Sequence, residues 1–593
     1  MDLNASTVGI NTSISQITFS WLDYLVFATM LSISGFIGIF FGCFGTKQNS
    51  SDEYLLGGRS LHILPVSMSI IASNISGMAV LGVPADVYKY GSAYIWSTIA
   101  VIIASFTCIY VYMPVFLQLE VLTTYQYLHI RFDKSIKLLA SFLYIFQVII
   151  YNPVVIFIPC VALSQATGYS INVLAPATTL FCVFYTSIGG LKTVVWTDTL
   201  QTISILLGSI VVLVMGLYQS GGVNNILQIA KEGERLDIFN FDLNPTVRDT
   251  FWTFVLGSTT MWMVDVSINQ GTLQRLSAVP TFYKAKVIMF IFCIITVILK
   301  IFSTVIGIAI YARYADCDPF QSGKIVHSDQ VVPYYIMDVG GSILGLPGLF
   351  IAGIFAAALS TLSTNLLNLA TTIYADFLSG FILKPVSEKK VSYILKVIVI
   401  VVGIIDCCLV FLVGKFGGLL QFGLSLLGIT YGTLLGIFTL GMVFPIANKH
   451  GALYGGIAGL IFNSCMVFGS LWYKYKGVIP DYPKPISTRG CNITVPLPSE
   501  THKWDGTDIP SAFFRISFWY YPLYGSLVVL IVGILVSFLT RKHNPKLRSE
   551  LISPMFQFLL PKGQLERSST SCRGIENNIA LKDNSHVKEG RSE

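Results

Sequence analysis

The sequence predicts an all-α polytopic membrane protein, from its composition, its long apolar segments and its basic loops. Of its 593 residues, 53% are hydrophobic and only 12% are charged. The mean hydropathy of +0.69 lies well above that of soluble proteins. The net charge of +7 is modest, so nucleic acid is not an expected partner. No phosphate loop, zincin motif or nucleophile elbow occurs in a suitable context, and we therefore expect no enzyme.

Windows of about 20 apolar residues predict membrane-spanning helices. Thirteen such windows follow one another along the chain: 21–44, 63–85, 93–118, 138–163, 171–190, 198–219, 251–271, 286–312, 342–374, 392–414, 418–442, 452–473 and 519–540.

The orientation follows from the charges of the loops. Residues 1–20 contain no Lys or Arg, and the first apolar run is too long for the core of a signal peptide. An extracellular N-terminus places the basic loops, such as His129–Lys137, in the cytosol, as the positive-inside bias requires. An odd number of helices then places the tail, 541–593, in the cytosol. We expect a multi-pass protein of the cell membrane.

The glycosylation sequons agree with this orientation. Asn4, Asn11 and Asn492 begin Asn-x-Ser/Thr sequons that fall outside the cell, the last of them in the loop 474–518. Two cysteines, Cys317 and Cys491, lie in polar segments, whereas most of the others lie within apolar runs. If both polar segments are extracellular, these two cysteines can form a disulfide.

The segment IIASNISGMAV, Ile70–Val80, interrupts an apolar span with Ser, Asn, Ser and Gly. Lipid offers no water to satisfy polar groups, so such an interruption needs a functional reason. Where a membrane helix unwinds, its carbonyls lose their helical partners and can face an ion. The carbonyls of Ala72 and Ile75 flank the break, and Gly77 lowers the cost of unwinding.

A second polar feature is the hydroxyl-rich window 342–374. At 100° per residue, one wedge of about 100° on this helix contains several polar or small side chains. They are Ala357, Ser360, Thr361, Thr364 and Asn368. Hard cations prefer several oxygen ligands, so this face and the break together predict a sodium site. The alternative is that these hydroxyls bond to their own helix or join neighbouring helices.

Three carboxylates fall at or inside predicted spans, where Asp costs about 3 kcal/mol at a helix centre. Asp198 either caps its helix or serves a site. Asp265 lies deeper, with Asn269 one turn later, and a structural partner, a protonated carboxyl and a substrate role all remain open. Asp406 has no role that the sequence indicates.

Several motifs resemble the sodium/solute symporter family, in the branch of monocarboxylate, multivitamin and iodide transporters. These are DEYLLGGR (Asp52–Arg59), GGLKTVVWTDTLQ (Gly189–Gln201), NQGTLQR (Asn269–Arg275), CDPFQSGK (Cys317–Lys324) and GMVFPIANKHGALYGGIAG (Gly441–Gly459). The resemblance implies a LeuT-like core of two inverted five-helix repeats, 63–219 and 251–442. The first helix, 21–44, and the last two helices, within 452–540, are then peripheral.

The resemblance also implies a ligand set for sodium. The carbonyls of Ala72, Ile75 and Ala357 and the hydroxyls of Ser360 and Thr361 match the family pattern, and Asp198 matches an acid close to the site.

The solute side departs from the family pattern. Met78-Ala79 stand where sugar transporters of the family carry Glu-Gln, and Asp265 stands where near relatives are usually uncharged. We expect a sodium-coupled symporter that imports a small organic solute by alternating access, with an organic carboxylate as the expected class. Short monocarboxylates and biotin- or pantothenate-like vitamins both remain open, and a receptor without turnover or an anion symporter is the alternative. The expected solute contacts are Asn74, Ser76, Met78, Asp265, Asn269 and Gln270.

Overall fold

The computed structural model describes most of the chain. The described ranges are 19–41, 51–325, 330–341, 343–379, 387–413, 419–479, 483–491, 510–540, 547–560 and 565–566. The three sequons at Asn4, Asn11 and Asn492 lie outside these residues, as do residues 1–18 and most of the tail.

The described residues are almost entirely helical. The α-helices are α1 (Trp21–Ile39), α2 (Ser51–Leu56), α3 (Ile63–Asn74), α4 (Gly77–Tyr90), α5 (Ser97–Thr107), α6 (Met113–Leu119), α7 (Thr124–Arg131), α8 (Lys134–Thr167), α9 (Ile171–Gln219), α10 (Val223–Glu232), α11 (Thr259–Met263), α12 (Gln270–Leu276), α13 (Phe282–Tyr314), α14 (Val331–Gly340), α15 (Leu346–Thr372), α16 (Glu388–Val413), α17 (Leu419–Val443), α18 (Lys449–Tyr475), α19 (Ala512–Arg515) and α20 (Tyr521–Leu539).

Shorter segments complete the secondary structure. The 3₁₀ segments are Gly57–Arg59, Ser92–Trp96, Phe518–Tyr520, Ser549–Leu551 and Pro554–Leu559, and the π segments are Cys108–Tyr112, Thr253–Ser258, Val264–Ile268 and Ile373–Leu378. Two parallel two-residue strands, β1 (Leu547–Arg548) and β2 (Leu565–Glu566), are the only strands among the described residues.

Ten helices in the described ranges are long and apolar enough to cross a membrane, or eleven if the bent pair α3 and α4 forms one span. The all-α polytopic fold class is therefore confirmed, whereas the count of thirteen stays a prediction. Two of the thirteen windows, 171–190 and 198–219, lie in α9, which spans 49 residues and consists of two helical segments that meet at Gly190. At 1.5 Å per residue the two segments together are about 73 Å long, well beyond one bilayer crossing. Gly190 kinks α9 with φ 57° and ψ −156°, a conformation that glycine adopts readily.

Two spans are interrupted. α3 and α4 meet at an angle of 48° across Ile75 and Ser76. The predicted window 251–271 is an irregular run of π and α turns, which ends at Asn269 before α12 begins. These two spans are the first helices of the two predicted repeats, so both repeats begin with a broken helix.

α15 is the central helix of the bundle. In its most apolar window, 94% of the residues are buried, compared with 22% for α1, which lies at the periphery. α15 packs against α9, α8, α1, α16 and the broken pair α3–α4. Because α15 has neighbours on all sides, its hydroxyl-bearing face is directed into the bundle and not toward lipid.

The bundle has two ends, which we name by their features. The disulfide face carries the bond between Cys317 and Cys491, which joins the loop after α13 to the segment after α18. The tail face carries residues 547–560, where the Tyr127 hydroxyl donates to the carbonyl of Leu551.

Candidate sodium and solute site

The break between α3 and α4 leaves several carbonyls without helical partners. Ile75 leaves the helical region with φ −100° and ψ 81°, so the helix ends before the N–H groups that would bond to the carbonyls of Ala72 and later residues. Ser76 begins α4 without a side-chain cap. A Cβ atom at Gly77 would lie 3.4 Å from the carbonyl of Ile354, so the break presses directly against α15.

Hydroxyl groups connect the break to α15. Thr361 Oγ1 donates to the carbonyl of Ser73 at 3.3 Å and to that of Ala357 at 3.1 Å. Ser73 Oγ lies 3.0 Å from Thr364 Oγ1. Thr361 therefore makes both a bond to its own helix and a bond across to the broken span, which are the two bonding patterns that the sequence left open as alternatives to ion binding.

A buried ion pair lies next to the contact between α3 and α15 and stabilises it. Arg275 Nη2 donates to Asp198 Oδ2 at 3.0 Å and to Thr364 Oγ1 at 2.5 Å, and its Nε donates to Ser69 Oγ at 2.6 Å. Ser69 Oγ in turn donates to Asp198 Oδ2 at 2.5 Å. The four residues belong to α12, α9, α15 and α3, so they tie four helices together. α9 continues through Asp198, and the interpretation of this residue as a helix cap is wrong.

Two oxygens of this region are buried but lack a hydrogen-bond partner of acceptable geometry. They are Ser360 Oγ and Asp198 Oδ1, which belong to neighbouring side chains. Orphaned buried oxygens are costly, and a cation that uses them as ligands removes that cost. The carbonyls freed at the break are oxygen donors of the same hard type. This donor set therefore fits sodium as a transported ion.

A cavity of about 130 Å³ lies beside the break. Its wall contains polar side chains from both interrupted spans and aromatic side chains from other helices. Asn74, Ser76, Asp265 and Asn269 line it, as does Thr361 from α15. The cavity and the hydroxyl contact thus share the same segment of α3.

One of the predicted solute contacts, Gln270, has a different position. Gln270 is fully buried, and its amide accepts from Thr124 N and donates to Leu122 O, both at 2.9 Å. It fixes the turn before α7 and does not line the cavity. The side chain of Met78 lies outside the part of the chain that the structure describes, and Ala79 lines the cavity next to it.

Several residues near the cavity were missed. Lys300 in α13 is only 6% exposed, and its Nζ donates to Tyr94 Oη at 2.6 Å and to Ser97 Oγ at 2.9 Å. A single lysine in the apolar run VILKIF was the available signal. Asn365 lines the cavity and donates to Asn152 Oδ1, and Asn152 donates to Asp406 Oδ2, both at 2.8 Å.

Larger cavities lie at the two faces, about 610 Å³ at the disulfide face and about 750 Å³ at the tail face. Neither shares a described lining residue with the central cavity. On the disulfide side the separating wall includes Trp519, whose Nε1 donates to Asp249 Oδ1 at 3.2 Å. Trp519 lines the central cavity and Asp249 lines the outer one. Tyr94 and Phe254 pack against the same indole.

Comparisons with known proteins agree with this architecture. Residues 54–459 match the model of the sodium:solute symporter family. The chain is 36% identical to sodium-coupled monocarboxylate transporter 2 of Mus musculus, over 89% of this chain and 85% of that protein. It is 33% identical to the sodium/iodide cotransporter of Homo sapiens, over 96% of this chain and 90% of that protein.

The fold also resembles solved structures. A Na⁺-coupled sialic acid symporter in its substrate-bound outward-open state superposes with a TM-score of 0.71 at 22% identity, covering 88% of this chain and 98% of that one. A nucleobase-cation-symport-1 family transporter in a closed conformation gives 0.50 at 13% identity, covering 84% of this chain and 96% of that one. The likeness shows that the fold is LeuT-like. The chain belongs to the sodium:solute symporter family, and it is a sodium-coupled symporter of a small organic solute.

Proposed function

We propose that this symporter imports a short organic carboxylate into the cell. Relatives named as monocarboxylate transporters support this class. A cavity of about 130 Å³ suits a solute of few non-hydrogen atoms, because drug-sized ligands occupy about 300–1,000 Å³. Short monocarboxylates are therefore favoured over biotin- or pantothenate-like vitamins. The buried Lys300 beside the cavity supplies positive charge for a carboxylate.

The observation that carries the proposal is the junction of the α3–α4 break with α15. Sodium bound to the carbonyls of Ala72, Ile75 and Ala357 and the hydroxyls of Ser360 and Thr361 links the two helices. It replaces the missing partner of Ser360 Oγ and fixes the geometry of Asn74 and Ser76 at the cavity wall. Solute and sodium thus stabilise the same arrangement of the break, which is the thermodynamic requirement for coupling.

Transport follows as alternating access between the two faces. The two repeats, 63–219 and 251–442, move relative to each other, so that the central cavity opens first to one face and then to the other. In this proposal the N-terminus is extracellular and the tail is cytosolic. Sodium moves inward because its concentration is higher outside the cell. Each sodium ion carried inward also gains about 2.3 kcal/mol per 100 mV of membrane potential.

Uptake by the full chain in proteoliposomes tests the proposal. Radiolabelled propanoate, lactate, alanine and biotin are offered with an inward sodium gradient or with choline. We expect sodium-dependent accumulation above the external concentration for at least one three-carbon acid, and none for biotin. Saturable binding without accumulation would show a receptor. Radiolabelled iodide is offered in a parallel assay, and its accumulation without that of any carboxylate would show an inorganic-anion symporter. Either result would contradict the proposed function.

The proposed orientation has its own test. Asn4, Asn11 and Asn492 should carry glycans in mammalian cells. Asn49 also begins an Asn-x-Ser sequon, but it lies in a loop expected to be cytosolic and should carry none. The change in gel mobility after glycosidase treatment, compared among single Asn→Gln variants, shows which sites carry glycans. A glycan on Asn49 would contradict the proposed orientation.

A further inference from the structure

One acidic and one basic side chain lie at or beside the central cavity, and the expected sodium ligands include neither of them. They are Lys300 in α13 and Asp265 in the second interrupted span. A charge inside the membrane region is costly and marks a functional site by default. Lys300 packs against Trp262, which lines the cavity together with Asp265, yet the two side chains form no direct ion pair in the described part of the chain.

Lys300 stands behind the cavity wall. Its ammonium group lies 4.4 Å from the ring centroid of Tyr94 and 4.8 Å from that of Trp262, and both rings line the cavity. Because the Tyr94 oxygen accepts from the ammonium, its own O–H is polarised as a donor. A hydroxyl polarised in this way can donate a hydrogen bond to a carboxylate, and such a bond is stronger than one between neutral groups because the acceptor is charged.

Asp265 faces the cavity itself. Its Oδ1 accepts from the Tyr431 hydroxyl at 2.6 Å, and the residue is half-buried in the cavity wall. No cation is bonded to it among the described residues, and the backbone carbonyl of Asp265, not its carboxylate, accepts from Thr272. A carboxylate has about four acceptor positions, so most of its capacity remains for a ligand.

The charge balance selects among solutes. Lys300 and Asp265 together are neutral, so a simple monocarboxylate adds a negative charge beside Asp265. Like charges held in a region of low dielectric repel each other strongly. A solute that carries an ammonium group as well as a carboxylate adds no net charge and gives each protein group a partner of opposite sign.

We infer that the solute is a small amphoteric acid, of the α-amino acid type. Its carboxylate binds at the Tyr94 hydroxyl, which Lys300 polarises, and its ammonium binds Asp265. Lys300 is thus a positioning residue, and Asp265 touches the solute. This inference rests on the proposed function and narrows its substrate class.

Three three-carbon acids that differ only at C2 test the inference. Propanoate carries hydrogen there, lactate a hydroxyl and alanine an ammonium group. In sodium-driven proteoliposome uptake, we expect alanine to have a half-saturation concentration at least 10-fold below that of propanoate. Uptake of propanoate or lactate in preference to alanine would overturn the inference and leave the proposed carboxylate transport intact. Failure of all three acids would instead refute the proposed function, and the inference with it.

Two variants assign the roles. Asp265→Asn keeps the shape of the side chain and should raise the half-saturation concentration for alanine at least 10-fold, while lowering that for propanoate by removing the repulsion. Lys300→Met should raise both at least 10-fold. Lys286→Met, on the same helix but beside Tyr110 and Phe282, is the matched control and should change neither by more than about 2-fold.

The sodium half-saturation and the amount of monodisperse protein show that each variant is folded. An unchanged ratio of alanine to propanoate uptake in folded Asp265→Asn protein would overturn the inference. Parallel 10-fold losses for both acids in Asp265→Asn would also overturn it, because they would show a role that does not discriminate between the ammonium and hydrogen substituents.

Discussion

The two interrupted spans differ in how their polar groups are satisfied. At the first break, Ser76 begins α4 without a side-chain cap, and the carbonyls at the end of α3 are left without helical partners. At the second, the Asn269 side chain accepts from Gly271 N at 2.8 Å, and Thr272 Oγ1 donates to the carbonyl of Asp265 at 2.9 Å. The first break is open and the second is closed by its own side chains.

This difference indicates separate tasks for two related positions in the repeats. An open break needs a ligand to complete it, because unpaired polar groups in a membrane protein are costly. A closed break is complete without a ligand and can hold a side chain such as Asp265 in a fixed position. The first break therefore suits the coupling ion, and the second suits selection of the solute.

The largest expected effect comes from removing the ion pair beneath the open break. Asp198→Ala leaves the Arg275 guanidinium buried without its counter-charge. Loss of one partner of a buried pair costs about 3–5 kcal/mol. We expect little folded protein by fluorescence-detected size exclusion. Asp242→Ala, at an exposed carboxylate, is the control and should express normally. Normal yield and thermal stability of Asp198→Ala would show that the pair does not support the break.

The next effect concerns the ligands of the open break. Ser360→Ala together with Thr361→Ala removes two expected sodium ligands. We expect the sodium half-saturation concentration to rise about 100-fold, equivalent to about 2.7 kcal/mol. Thr371→Ala, on the same helix, removes a hydroxyl that bonds only to its own turn, at Leu367 O, and should leave sodium dependence within about 2-fold. Equal sodium dependence in the wild type and the double variant would reject the ion site.

At the closed break, we expect a substitution to lower the thermal stability of the protein and to leave its sodium dependence unchanged. Gln270→Ala leaves Thr124 N and Leu122 O without their partner, at a cost of about 1–3 kcal/mol. We expect a lower midpoint of thermal unfolding, with the sodium half-saturation unchanged. Gln270→Glu retains the acceptor for Thr124 N and should recover part of the loss. A shift in sodium dependence without loss of stability would place Gln270 in the binding site.

The smallest expected effect comes from breaking the hydrogen-bonded chain that runs from Asp406 in α16 through Asn152 to Asn365 at the cavity wall. Asp406→Leu removes the acceptor of Asn152 and thereby frees Asn365 at the cavity wall. We expect the solute half-saturation concentration to rise about 5-fold, equivalent to about 1 kcal/mol, with sodium dependence unchanged. Asp406→Asn keeps an amide oxygen for Asn152 and should lie within about 2-fold of the wild type. Identical solute affinities in all three proteins would remove Asp406 from the site.

The open break could be predicted from the sequence because its cause is local. Ser, Asn, Ser and Gly within a few positions of an apolar span are typical of a helix that unwinds inside the membrane, and helical periodicity placed Ser360, Thr361 and Thr364 on one face. The ion pair could not be predicted, because Arg275 lies 77 residues from Asp198 and only the packing of both α12 and α9 against α3 and α15 brings them together.

Adjacency in sequence misled the prediction for Gln270. The chain changes direction at Asn269, which has extended backbone angles, so Asn269 lines the cavity while Gln270, the first residue of α12, bonds to the turn before α7. Lys300 was overlooked for the opposite reason. A single charge inside an apolar run has no local pattern, and its meaning depends on Tyr94, which arrives from another helix.

The indole of Trp519 can serve as an intrinsic fluorescent reporter, because it lies in the wall between the central cavity and the cavity at the disulfide face. Opening of the wall at Trp519 breaks its bond to Asp249 and moves the ring from contact with Tyr94 and Phe254 into water. Such a move red-shifts tryptophan emission. In a variant that keeps Trp519 and replaces the other tryptophans with phenylalanine, the emission maximum should therefore follow the transport cycle without any attached dye.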